Sequence, residues 1–167
     1  MDPKNAKVVA DFILADYGRE LDTTLNVLRA VPDSKCTYSP DSKSKSGLGL
    51  LRHIVLEDEW LLNSIADGTF VPPPDDSDAC GIMTAADGVA RYKERIPAAM
   101  ARVQALPAEK LVATLDLLGI IQAPAINFIS MALKHSIHHR GQLSTYLRAM
   151  GSSVPSIYGP SADTVTH

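Results

Sequence analysis

Three of the five histidines in this chain fall within one short run. The segment Lys134-His135-Ser136-Ile137-His138-His139-Arg140-Gly141-Gln142 reads as helix, so His135 and His139 lie one turn apart on one face. At that spacing two imidazoles can reach a single metal ion. The same face carries Ala125, Phe128, Ala132, His135, His139, Gln142, Tyr146 and Ala149 at steps of three and four. That is the seam a bundle helix turns inward. Imidazoles on such a seam need partners, and one metal ion would satisfy both rings. His138 sits on the adjacent flank with Met131 and Thr145 and is left out of the set.

A third ligand has to come from another helix. Apart from His167 at the C-terminus, the remaining histidine is His53, early in an apolar helix with Glu57 one turn later. Three neutral imidazoles with one open position form the pattern of a catalytic metal site. Zinc, nickel and iron(II) all suit imidazole, and the residues do not rank them. Plainer readings stand beside this one. The histidines could be hydrogen-bonded core residues. Glu57 could be an ion-pair partner or a group behind a ligand rather than a base. Arg140 could bridge to a carboxylate such as Glu57 or Asp58, and Gln142 could cap a backbone group. Trp60 and Tyr146 read as core or pocket walls, and Cys36 and Cys80 as inert thiols in loops.

Four long helices must position these groups. The first begins at Asp2, with Pro3 in its first turn, and carries Phe12, Tyr17, Leu21, Leu25 and Leu28 at helical spacing until Pro32 and Asp33 end it. A Ser/Lys/Gly-rich loop follows over 34–47. The second helix spans 47–66, with Arg52, Glu59 and Asn63 on a solvent flank, Leu50, Ile54, Glu57 and Leu61 opposite, and Asp67-Gly68 as its stop. The third spans 84–106, with Pro97 predicting a kink or break. Residues 111–118 tilt towards a short extended segment. The fourth starts near Pro124 and ends at Met150, with Gly151 as its cap. The tail over 152–167 is expected to pack loosely. The fold class is therefore all-α, an up-down-type four-helix bundle in a single domain over 1–167.

Composition narrows the function classes. With 46% apolar and 21% charged residues, the 167-residue chain can bury a core without staples. A net charge of −3 and no Lys/Arg cluster argue against nucleic acid as a partner. No signal peptide or membrane span is read, and two isolated cysteines suit a cytoplasmic setting with free thiols.

His135-Ser136-Ile137-His138-His139-Arg140-Gly141-Gln142-Leu143, with Tyr146 to Gly151 and Val154-Pro155, resembles the last helix of the DinB/YfiT-like superfamily. Leu51-Arg52-His53-Ile54 through Trp60-Leu61 resembles that family's first histidine motif, and Pro155 to Pro160 its tail. The resemblance implies a four-helix bundle, commonly dimeric, with a metal held by His53, His135 and His139. Relatives include low-molecular-weight thiol S-transferases, a mycothiol-dependent isomerase and proposed metal-dependent hydrolases, so fold alone does not choose a chemistry. The expectation is a metal-dependent enzyme acting on a small-molecule substrate. Its zinc, nickel or iron would activate a water or a low-molecular-weight thiol cosubstrate, with Glu57 as a base. The alternative is a non-catalytic metal- or ligand-binding bundle.

Overall fold

The computed structural model describes residues 1–165. Five helices and one hairpin follow in the order α1 (Pro3–Arg29), α2 (Gly47–Asp67), α3 (Ala85–Gln104), α4 (Ala108–Val112), β1 (Thr114–Leu117), β2 (Ile121–Pro124) and α5 (Ala125–Ala149). Each long helix starts or stops where its local chemistry requires. Asp2 accepts from the backbone N–H of Asn5 at the head of α1, with Pro3 just inside. Ser46 does the same for Gly49 at the head of α2, and Gly68, with φ 77°, ends it in the left-handed region. Thr84 and Asp87 form a reciprocal capping box at α3.

The long helices pack so that α1 touches α3 and α5, while α2 touches α3 and α5. A simple up-and-down meander would set α1 beside α2. Here those two sit across the diagonal, because the connection over 30–46 is long enough to cross the end of the bundle. The core between the helices includes Tyr17, Leu28, Leu51, Ile54, Leu62, Tyr92, Ile96 and Phe128, all at most 1% exposed. The antiparallel hairpin pairs Leu115 with Ala123 and closes α4 onto the start of α5.

Several sequence expectations need correction. Phe12 is 68% exposed and is no part of the core. Arg52 is buried rather than solvated, because the segment after α2 folds over it: its Nε donates to the Ile82 carbonyl at 2.7 Å and its guanidinium pairs with Asp78. The helix continues through Pro97, which occupies an exposed position of α3 and removes only one backbone donor there. Only 114–117 of the 111–118 segment is strand, and it pairs with a second strand that was not expected. The tail is tied down rather than loose. Asp163 accepts from Arg148 Nε and from the Val154 backbone, while the Tyr158 hydroxyl meets Arg140. The expectation for Thr166 and His167 lies outside the described residues. None of the described helices is long and apolar enough to cross a membrane.

Gly88 of α3 packs tightly against α2: a Cβ there would stand 2.4 Å from Cδ2 of the fully buried Leu51. In an open helix, glycine to alanine gains roughly 0.5–1 kcal/mol. Here the clash reverses the sign. Gly88→Ala is expected to destabilise the fold by about 1–2 kcal/mol, the usual range for overpacking a tight core, read as a lowered urea midpoint.

Candidate metal centre

α2 and α5 lie side by side, and their facing turns bring the three histidines together. His53 Nε2 is 3.3 Å from His135 Nε2 and 3.3 Å from His139 Nε2. All three residues offer one ring nitrogen within 4.8 Å of the others, a group that could hold a metal ion. The rings are partly buried, with His53 19% and His135 18% exposed, so the cluster lies at the margin of the core.

That margin refines the inward seam read from α5. The most buried stripe is offset by one residue: Ile129, Leu133, Ser136, Arg140, Leu143 and Leu147. Ala149, placed on the seam, is exposed. α5 packs against both α1 and α2, which buries a stripe wider than one seam and leaves His135 and His139 on its edge.

Behind the cluster the rings are held. His135 Nδ1 donates to Asp58 Oδ1 at 2.9 Å, and His139 Nδ1 donates to Gln142 Oε1 at 3.0 Å. These assignments follow from the acceptors, since neither oxygen can donate. Both rings therefore turn an Nε2 lone pair towards His53, which can supply at most one proton between them. His53 Nδ1 lies 4.0 Å from both Glu57 and Asp76, beyond hydrogen-bonding reach. Lys45 in turn forms an ion pair with Asp76. The donor set fits a cation. Tetrahedral coordination at zinc–nitrogen distances near 2.0–2.1 Å places ligand nitrogens about 3.3–3.4 Å apart.

Burial, followed by the neighbouring charges of His139 and His135, depresses His53 to about 4. Burial likewise lowers His139, against the opposing hydrogen bond to Gln142. Glu57 moves up, chiefly through burial, with Asp76 and Asp58 adding to the rise and His135 opposing it.

The other expected participants sort as follows. Glu57 sits beside His53 at the edge of the cluster. Gln142 serves His139 rather than a backbone group. Arg140 reaches neither Glu57 nor Asp58. It is fully buried against α1, where it pairs with Glu20, because its side chain leaves α5 on the stripe that faces α1. His138 is exposed. Trp60 is half-buried, its indole donating to the Val71 carbonyl, and Tyr146 is buried edge-on to Tyr38. Cys36 and Cys80 are free. The residue that sequence reasoning missed is Asp58, considered only as a partner for Arg140. The signal was present: Leu51, Val55, Asp58, Leu62 and Ile65 recur at steps of four and three, so one acid interrupts a buried stripe.

The depressed His53 makes the metal-free protein acid-sensitive. An ordinary histidine in the unfolded chain takes its proton near pH 6.5, whereas folded His53 resists it until about pH 4. The stability from this group is thus present above pH 6.5 and lost as pH falls towards 4, roughly 1–3 kcal/mol in all. Urea midpoints of metal-free wild type should drop over that window, and His53→Gln should flatten the drop.

Comparison with known proteins supports the same placement. A family model described as the DinB family matches residues 9–166. YrdA of Bacillus subtilis strain 168, an uncharacterized protein, is 28% identical over 156 residues, which is 92% of this chain and 90% of its own. A DinB-like protein from Bacillus cereus ATCC 10987 superposes with a TM-score of 0.73 at 21% identity, over 87% of this chain and 95% of that one. The DinB-like protein YjoA of Bacillus subtilis gives 0.67 at 20% identity, over 89% and 99%. At such identities the two structures speak for the fold alone. With its helical architecture, its histidine cluster and a family match over nearly its whole length, this chain belongs to the DinB family.

Proposed function

We propose that His53, His135 and His139 hold one divalent transition metal ion, zinc or nickel foremost and iron(II) as a third choice, in a metal-dependent enzyme built on a four-helix bundle. The observation that carries this reading is the 3.3 Å distance of His53 Nε2 from the Nε2 atoms of both His135 and His139, with those two rings already oriented from behind. Three protein ligands leave a position for an exogenous group. A divalent ion there supplies Lewis acidity, lowering the pKa of a water or a low-molecular-weight thiol. The reaction class is hydrolysis or thiol S-transfer to an electrophilic small molecule.

The chain's own residues divide the remaining work. Asp58 and Gln142 fix the ring orientations of His135 and His139. Glu57, beside His53 and raised by burial, is suited to take a proton at the cluster's edge. Lys45 and Asp76 form a charged rim on the His53 side. The two free thiols, Cys36 and Cys80, suit a cytoplasmic setting.

Tag-free protein should carry about one metal per chain by elemental analysis. His135→Ala should weaken binding at least about 100-fold, more than loss of a supporting group costs. Turnover across thiol–electrophile and ester panels should vanish with the metal. Glu57→Gln should keep the metal and lose about 100-fold or more in rate, the range for general bases. A wild type lacking metal, even after zinc and nickel are supplied, would sink the reading. Full metal loading with no turnover in either panel would leave a non-catalytic binding bundle.

A homodimer through helix faces is part of the same proposal. Val8, Val9 and Phe12 form an exposed apolar strip on α1, with Val8 64% and Phe12 68% exposed. Sedimentation of wild type should return twice the chain mass and Phe12→Asp a monomer; a monomeric wild type would refute the assembly.

A further inference from the structure

Asp58 is completely buried, yet its ion-pair partner among the described residues is neither lysine nor arginine but the imidazole of His135. A carboxylate withdrawn from water is costly unless donors and a positive charge compensate it. The donors are in place. His135 Nδ1 reaches Oδ1 at 2.9 Å and the Tyr92 hydroxyl reaches Oδ2 at 3.2 Å. The Ser136 hydroxyl stands 3.3 Å behind that of Tyr92. The buried Tyr17 hydroxyl makes no hydrogen bond to it or to any other described residue. Tyr17 belongs to α1, Asp58 to α2, Tyr92 to α3, and Ser136 and His135 to α5. Donors from α3 and α5 thus converge on one acid of α2. Among the described residues no lysine or arginine reaches it.

We propose that Asp58 is the buried counter-charge of the metal centre and the positioning residue of His135, an assignment that rests on the metal-binding reading above. It makes the three ligands unequal. His135 is backed by a carboxylate, which raises the basicity of the ring as a ligand. His139 is backed by the neutral amide of Gln142. Among the described residues His53 has no hydrogen-bonded partner behind it, with the Glu57 and Asp76 carboxylates 4.0 Å away. His135 is therefore the anchoring ligand and His53 the adjustable one. Tyr92 and Ser136 act one step further back, holding the Asp58 carboxylate in line with the ring.

Asp58→Asn separates this role from a merely structural one. Asparagine keeps the shape and still offers an oxygen to His135 Nδ1, but it removes the charge. Full-length, tag-free protein is titrated with zinc(II) in competition with a chromogenic chelator, and the metal-free thermal midpoint is measured alongside. Expected is a zinc affinity about 10–100-fold weaker in Asp58→Asn, the range for losing a partner behind a metal ligand, with a metal-free midpoint held or raised. Gln142→Ala should cost less. In histidine-labelled NMR spectra of zinc-loaded protein, the His135 Nδ1 proton should move in Asp58→Asn and stay put in Gln142→Ala. If Asp58→Asn does not fold, Tyr92→Phe carries the test, with a smaller loss of affinity and the same displaced His135 signal. Wild type binding zinc, with Asp58→Asn equal in affinity and unchanged in the His135 signal, would overturn the assignment while leaving the metal site standing. Wild type binding neither zinc nor nickel would remove both.

Discussion

The hydrogen bond between His135 and Asp58 ties the chemistry of this protein to its architecture. One end is the Nδ1 of a ring whose other nitrogen, Nε2, faces His53 at 3.3 Å. The other is a completely buried carboxylate of α2 that also accepts from Tyr92 of α3. Neither end tolerates much movement. A ligand ring displaced by a fraction of an ångström loses its geometry, and a buried carboxylate displaced from its donors becomes an uncompensated charge. Shape in the core and ligand position at its margin are thereby set by the same contacts.

A good part of this was legible in the chain itself. The i, i+4 spacing of His135 and His139 needs only helical geometry, and helix limits follow from Asp2, Thr84, Gly68 and Gly151, whose conformational or capping roles are local. What was less legible depends on neighbours distant in sequence. Arg52 looked like a surface charge because nothing nearby reveals that the segment after α2 folds over it. Arg140 looked like a partner for Glu57 or Asp58 because the seam was drawn one residue off the most buried stripe. Asp58 was the instructive omission. An acid at a core position of a regular apolar stripe is a stronger sign of a built site than a histidine at its edge, since the acid has more to lose without partners.

Family and fold narrow the chemistry without choosing it. The relatives that match include a protein described as uncharacterized and two structures described only as DinB-like. The reaction must therefore be argued from the groups that ring the cluster, namely Glu57, Asp76, Lys45 and Gln142.

The order α1–α3–α2–α5 around the bundle has a further consequence, for the time at which the site can exist. His53 and His139 are 86 residues apart along the chain, and α5 is made after the other three long helices described. During synthesis α1, α2 and α3 can collapse together while His53 still has no imidazole to face. The cluster closes only when α5 leaves the ribosome and settles into the groove between α1 and α2. That closure spans a long loop, which is slow to form but only modestly more costly than a short one. An ion captured at that moment would act as a latch on the final helix, so a newly made chain in metal-poor conditions would linger with its last quarter unsettled.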